Sequence, residues 1–374
     1  MDLKYFINEL NINEKKELIN DINNIDKKFM NNLYVNSFFD EKIDSNKISS
    51  IDVITNIDIK SKSEYKKIAL KSINNGEYGI CLMAGGLASR LGLNIPKGCL
   101  ELNINNKKIS LFEIFINQIK KYNIRLYIML SNQNENYVLK FFEKNKYFNY
   151  KNNIVFFTQD SLPILDINGN YLLKDKSHVL YGPNGNGDIY KALKRSNSLD
   201  DMISHNIKYV HFSNIDNPLL DLVDLVYIGY FIKNNLDVIA KTIYEKNIKD
   251  TNRVYCKYNN KYKIIEHVYV KDDNRCFNEL NMGSYIITTN ELIKYSKLDL
   301  NYHRAFKKNI YIDETGNKVI SDGPNSFKFE KFIYDAFYYS DKFVLYEDDI
   351  KNFMPIKTFD DIKKVENILE KESL

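Results

Sequence analysis

The chain has 374 residues, 44% of them hydrophobic, enough for one large domain with an appendage and an enclosed site. Its 53 Lys and Arg are interspersed with 49 Asp and Glu for a net charge of +4, which leaves no basic stripe for a nucleic acid. No apolar stretch reaches the roughly 18 residues of a membrane span, and Met1-Asp2-Leu3-Lys4-Tyr5-Phe6 runs straight into charge, so the expectation is an untargeted cytoplasmic protein without membrane contact.

From Met1 to about Ile48, apolar residues such as Leu10, Leu18 and Ile22 recur at loose helical intervals in a polar background. This predicts a short N-terminal helical arm, taken as 1–60, ahead of one α/β domain over 61–374, with no chemistry in the arm. Ser63 to Asn74 reads as an amphipathic helix stopped at Gly76. Tyr78-Gly79-Ile80-Cys81-Leu82-Met83-Ala84 is a continuous apolar run bounded by glycines, the pattern of a strand buried on both faces of a mostly parallel sheet.

Directly after it stands Met83-Ala84-Gly85-Gly86-Leu87-Ala88-Ser89-Arg90-Leu91-Gly92, then Pro96-Lys97-Gly98. Gly85 and Gly86 fall at the C-terminal edge of the strand, where open α/β sheets bind ligands. Free of a Cβ, they can take positive φ and let a base or phosphate approach the main chain. Arg90 offers a planar fork to phosphate oxygens and Lys97 a mobile point charge. The spacing fits neither Gly-x-Gly-x-x-Gly nor Gly-x-x-x-x-Gly-Lys-Ser/Thr, which disfavours a dehydrogenase or a P-loop kinase.

Alternation then continues. Ser110 and Glu113 form a capping-box pattern opening a helix through Tyr122. Strand Ile124–Leu130, helix Glu135–Asn145, strand Ile154–Thr158, helix Asp188–Ser196, strand Tyr209–Phe212 and helix Leu222–Asn234 follow, which predicts right-handed crossovers and a layered sheet. Gly182-Pro183-Asn184-Gly185-Asn186-Gly187 precedes one of these helices, whose first amides would favour an oxygen-rich ligand. Asp216-Asn217 follows another strand and precedes Pro218, so Asp216 is either an anchor for Mg²⁺ shared with substrate phosphates or an Asx-type turn cap. Beyond Asp237 the runs Val238–Ile243, Arg253–Tyr258 and Lys263–Val268 read as antiparallel strands, and Phe329, Phe332 and Ile333 as the core face of an amphipathic helix. Cys81, Cys99, Cys256 and Cys276 form no pair motif and are expected to be reduced thiols; the histidines show no ligand spacing.

Taken together, these motifs resemble the sugar nucleotidyltransferases, and in Arg90-Leu91-Gly92 and Pro96-Lys97-Gly98 the eukaryotic UDP-N-acetylglucosamine pyrophosphorylases. Matching positions run in order from about Tyr65 to Thr358: Pro183-Asn184-Gly185-Asn186-Gly187 before Ile189-Tyr190-Lys191-Ala192-Leu193, Ile215-Asp216-Asn217, Ile264-Ile265-Glu266, Phe277-Asn278-Glu279-Leu280-Asn281, Tyr302-His303, Pro324 to Phe332 and Met354-Pro355-Ile356-Lys357. The resemblance implies a Rossmann-like, GT-A-like mixed sheet flanked by helices. It implies UTP and a sugar-1-phosphate as substrates and Mg²⁺ as cofactor. By residue, it implies nucleotide binding by Gly85, Gly86, Gln159 and Gly185, sugar binding by Asn186, Glu266 and Asn281, metal binding by Asp216, and catalysis by Arg90, Lys97 and Lys357.

Leu87-Ala88 stands where that family has Gln-Gly, and Glu279-Leu280 where it has Ala-Gly. The chain ends at Leu374, soon after Lys357, so the family's usual small C-terminal domain is expected to be absent and the protein to be a monomer. The implied reaction joins UTP and N-acetylglucosamine-1-phosphate into UDP-N-acetylglucosamine and pyrophosphate. Two alternatives stay open: an enzyme using glucose-1-phosphate or several UDP-sugars, and a UDP-sugar binder without catalysis.

Overall fold

In the computed structural model, which describes residues 10–36, 43–246, 249, 253–270 and 277–372, Tyr78–Met83 is a strand buried at all 6 positions. That is what a strand covered on both faces requires. It pairs in parallel with Tyr209–Asn214 on one side and Arg125–Ser131 on the other. The sheet continues from the latter to Ile154–Gln159, and beyond Tyr209–Asn214 through Glu279–Thr288, Val238–Tyr244 and Phe343–Glu347 to Val53–Ile54. Glu279–Thr288 runs antiparallel to both of its neighbours, which makes the sheet mixed.

The chain divides into two compact units. The larger holds Ile43–Thr158, Ile189–Leu298 and Tyr334–Leu374, the smaller Met1–Lys42, Gln159–Asp188 and Asp299–Ile333. In the larger, helix Leu111–Lys120 buries Leu111, Phe112, Phe115, Ile116 and Ile119 against the sheet, as its spacing demands. Ser110 caps it by accepting the Glu113 amide, one half of the expected box. The smaller unit has its own core, in which Leu18 and Met30 of helices Ile12–Asn23 and Lys27–Asn36, and Ile25 between them, meet Leu165, Leu173, Val179, Ile312 and Phe329.

Most expected elements are present within a few residues of their expected bounds, but three differ. Ser326–Glu330 is a strand, not a helix, paired antiparallel with His303–Lys307; Phe329 is buried in its core as expected, but at a period of two. Glu279–Thr288, read only as a motif, is the longest strand in the sheet at 10 residues, its alternation masked by Asn281, Gly283 and Ser284. Arg253–Tyr258 and Lys261–Glu266 form an antiparallel hairpin that joins the main sheet where Val254 pairs with Leu280, whereas Val238–Tyr244 is antiparallel to Glu279–Thr288 as expected but parallel to Phe343–Glu347 on its other side. Cys81, Cys99 and Cys256 are buried free thiols, and burial pushes that of Cys99 up to about 12. Cys276 and Met1–Phe6 lie outside the described residues, among which no helix is long and apolar enough to cross a membrane.

Inside the sheet, His211 is fully buried between the Tyr78 hydroxyl at 2.9 Å and Ser284 Oγ at 2.8 Å. Burial, reinforced by the Lys241 ammonium, pushes its pKa down to about 3. The unfolded chain therefore binds a proton that the folded chain refuses between about pH 6.5 and 3. Stability is unaffected above that window and falls as the pH is lowered through it, by about 1.4 kcal/mol per pH unit in its middle. Urea unfolding at pH 7, 6, 5 and 4 is expected to show this slope, and His211→Gln to flatten it; equal slopes in both proteins would refute the assignment.

Candidate functional site

Three chain segments meet at the C-terminal edge of the parallel strands in the larger unit. The strand Tyr78–Met83 leaves the sheet into Ala84 and Gly85, whose carbonyls are held by Asn134 Nδ2 and Ser131 Oγ, each at 2.8 Å. Neither Gly85 nor Gly86 uses the positive φ open to it; Gly92 does, at +68°, where it ends the turn Ser89–Leu91. A Cβ on Gly86 would meet nothing within 4 Å, so the space beside this exposed backbone is open. The loop closes on itself: the Ala88 amide donates to Ile95 O at 2.9 Å and the Lys97 amide to Gly86 O at 3.1 Å. Lys97 is thereby fixed beside Gly86. Arg90 is exposed on the same loop and makes no ion pair among the described residues.

The second segment leaves the neighbouring strand. Asn214 aligns with Met83, and Asp216 lies two residues past it. Lys97 Nζ reaches Asp216 Oδ2 at 3.2 Å, with the two side chains only 17% and 24% exposed. The third segment is tied to this point by backbone. Asp216 O accepts from the Ile356 amide at 2.8 Å, Asn217 Oδ1 from the Met354 amide at 3.0 Å, and Asn217 Nδ2 donates to Asn352 O at 2.9 Å. Lys357 follows with its side chain exposed, while its amide and that of Thr358 donate to Asp361 at the start of helix Phe359–Glu372. Lys97, Asp216 and the Lys357 segment are therefore one constellation, carrying two cations and one carboxylate.

Asn281 lies on the antiparallel strand just past this edge, since Gly283, at φ +72°, passes so close to Asn214 that a Cβ would lie 2.1 Å from its Nδ2. The Asn281 side chain is locked: Oδ1 accepts from Tyr255 Oη, Tyr285 Oη and the Gly283 amide, each at 2.8 Å. That fixes which way its Nδ2 faces. Glu279 is buried on the same strand, accepts from Thr242 Oγ1 at 2.9 Å, and has its carboxyl pKa raised by burial. Glu266 is exposed at the end of the hairpin, opposite Arg253.

Gln159, Gly185 and Asn186 belong to the smaller unit. Ser161–Pro163 and Tyr181–Pro183 form a two-stranded ribbon, extended by the Asn184 amide donating to Asp160 O at 2.9 Å, so that Gln159 and Gly185 follow at the same end. Gln159 is 5% exposed, and its Oε1 is buried with no hydrogen-bond partner, as is Asn184 Oδ1. A buried acceptor left unpaired is costly, and at a ligand site it marks where a donor arrives. Gly185 sits at φ +85°, and a Cβ there would lie 2.5 Å from Lys331 O. Gly185→Ala is therefore expected to destabilise the smaller unit by about 2 kcal/mol or more through backbone strain and that clash, read as a lowered denaturation midpoint; an unchanged midpoint would refute it. Contrary to expectation, the amides before helix Ile189–Arg195 are not free: that of Gly187 donates to Lys331 O at 2.9 Å and that of Asp188 to Gly185 O at 3.3 Å. Asn186 Oδ1 accepts from the Ile333 amide at 3.1 Å, so half of this side chain braces the loop.

Sequence reasoning quoted Asn217 only as part of the Asp216 motif and missed Ser131, Asn134, Tyr255 and Tyr285, which hold the site's backbone and side chains. Only the position of Ser131 and Asn134 just after an apolar run gave a signal.

A family model described as UTP–glucose-1-phosphate uridylyltransferase matches residues 25–371. The chain is 32% identical over 326 residues to a Saccharomyces cerevisiae protein named UDP-N-acetylglucosamine pyrophosphorylase, covering 80% of this chain and 68% of the relative. It is 30% identical over 392 residues to a Dictyostelium discoideum protein named probable UDP-N-acetylglucosamine pyrophosphorylase, covering 94% and 80%. Among solved structures, the uridine diphosphate N-acetylglucosamine pyrophosphorylase of Trypanosoma brucei shares the fold with a TM-score of 0.80 at 24% identity, covering 97% of this chain and 80% of that one.

Proposed function

Because the chain belongs to the UTP–glucose-1-phosphate uridylyltransferase family, we propose that it makes UDP-N-acetylglucosamine and pyrophosphate from UTP and N-acetylglucosamine-1-phosphate. A phosphate oxygen of the sugar phosphate attacks the α-phosphorus of UTP in line, the new P–O bond forms as the bond to the β-phosphate breaks, and pyrophosphate leaves with that electron pair. The attacking phosphate is already anionic, so no protein base is required. Positioning and charge neutralisation carry the reaction.

The observation that carries this reading is the meeting of Lys97, Asp216 and the Lys357 segment beside the open backbone of Gly86. Arg90 and Lys97 are suited to the β- and γ-phosphates and Lys357 to the α-phosphate. The side chain of Gln159 offers Oε1 to the uracil N3–H, and Gly185 lies against the base. In the larger unit Asn281, with its oxygen locked, presents Nδ2 to the sugar, together with Glu266. No cluster of three His, Cys, Asp or Glu side chains that could hold a metal occurs among the described residues, so Asp216 has at most one such partner there. This suits Mg²⁺, which binds one or two carboxylates and takes its other ligands from phosphates and water. Held by Asp216, the ion would neutralise phosphate charge, and Lys97 would turn from Asp216 to the phosphates.

Sugar choice is tested by measuring pyrophosphate release from UTP with N-acetylglucosamine-1-phosphate and with glucose-1-phosphate, each with and without Mg²⁺. A kcat/KM higher for the acetamido sugar supports the proposal. Equal or reversed values would move the assignment to glucose or broad specificity, and no release with either would leave a binding protein.

A further inference from the structure

The helix Ile12–Asn23, which the sequence marks as an arm without chemistry, carries Asp21 in its last turn. A carboxylate there faces the negative end of the helix dipole, so helix stability does not account for it. Its contacts do. Asp21 Oδ2 accepts from the Val179 amide at 2.8 Å and Oδ1 from the Tyr181 hydroxyl at 3.0 Å, and one turn before it Leu18 is fully buried in the core that also holds Val179.

Tyr181 opens the strand of the ribbon that ends at the base-reading loop. The register runs Tyr181 opposite Pro163, Gly182 opposite Leu162 and Pro183 opposite Ser161, and the Asn184–Asp160 bond carries the pairing to Gln159 and Gly185. The ribbon is therefore gripped at one end by Asp21 and presents, at the other, the buried and unpartnered Oε1 of Gln159. Proline at both ends of the pairing, Pro163 and Pro183, stiffens the segment between. Lys331 and Ile333 brace the far side of the loop, and at the ribbon's root Asp21 adds its two bonds to the backbone bonds from the Ile164 amide to Leu180 O at 2.8 Å and from the Leu180 amide to Leu172 O at 2.7 Å.

The geometry points to Asp21, acting through Tyr181, as a positioning residue for recognition of the uracil base. This rests on the proposed role of Gln159. A Gln amide distinguishes uracil, which presents a donor at N3, from cytosine, which presents an acceptor there, only while its oxygen and nitrogen stay oriented. Loosening the ribbon lets the amide turn over, so base choice suffers beyond any loss of folded protein.

The test uses the full chain with Asp21→Ala, Asp21→Asn, Tyr181→Phe and Gln159→Leu, measuring KM and kcat for UTP and for CTP, KM for the sugar phosphate, and thermal midpoints. In Asp21→Ala and Tyr181→Phe the KM for UTP is expected to rise roughly tenfold, a fraction of the hundredfold that a 1 Å misplacement can cost. The UTP-over-CTP ratio of kcat/KM is expected to fall with it, while kcat and the sugar-phosphate KM stay near wild type. Tyr181→Phe removes a single hydroxyl and decides the matter if Asp21→Ala does not fold. An unchanged ratio in the folded variants overturns the inference. If Gln159→Leu alone collapses the ratio, only the role of Asp21 fails; if Gln159→Leu also leaves it intact, the base-reading assignment fails and this inference with it.

Discussion

Lys97→Ala is expected to lower turnover by about a hundredfold to a thousandfold, the loss typical of removing one preorganised donor to developing charge. The corresponding increase in barrier is roughly 2.7–4 kcal/mol. The folded state should be nearly untouched. Lys97 Nζ contacts Asp216 in a pair whose members retain 17% and 24% of their exposure, so the carboxylate left behind still reaches water. The loop is closed by backbone bonds from Ala88 and Lys97 that the substitution does not remove. Circular dichroism and the denaturation midpoint should therefore match wild type while pyrophosphate release collapses. Near-normal turnover would remove Lys97 from the phosphate site, and a lost fold would show that the ion pair is a structural clamp.

Gln159→Leu is expected to move stability and activity in opposite directions. In the folded protein Gln159 Oε1 is buried without a partner, a debt of about 1–3 kcal/mol that an apolar side chain of similar volume does not incur. The variant should be more stable by about 1 kcal/mol. The uracil N3–H and O4 would then enter a site with nothing to meet them, each left unpaired at about 1–3 kcal/mol, so UTP affinity should fall by about two orders of magnitude. Calorimetric titration of UTP and urea unfolding read the two effects separately. A variant that is less stable, or that binds UTP as before, would show that Gln159 serves the fold. Such opposition is expected where a site holds polar groups in readiness for a ligand.

Much of the candidate site was legible in local sequence because its parts sit where local rules are strongest. The glycine turn after an apolar run, the cations just beyond it, and Asp216 two residues past a second strand are all statements about strand ends, and the sheet places both ends on one edge. The helix cap at Ser110 is likewise short-range. Legibility failed where pairing partners lie far apart. Phe329, Phe332 and Ile333 have a spacing that suits a helix, while Phe327 and Phe329 also fit a strand, and the pairing with His303–Lys307 decides for the strand. Glu279–Thr288 carries residues that hide a strand's alternation, yet each is used: Asn281 by two tyrosines, Gly283 by Asn214, Ser284 by His211.

By itself the sequence determined which residues could do phosphate chemistry and at which strand ends they stand, because turns, caps and hydrophobic period act over a few residues. Tertiary structure alone decided that Lys97 meets Asp216 across 119 positions, that Asn217 draws in the Lys357 segment from 137 positions away, and that Gln159 is left with an unanswered acceptor. It also turned an N-terminal arm into part of the smaller unit's core, with Asp21 bonded to a ribbon 160 positions further on. These outcomes depend on strand order and register, which are set by the competition of all pairings for one sheet and one core, and no window of the chain contains that competition.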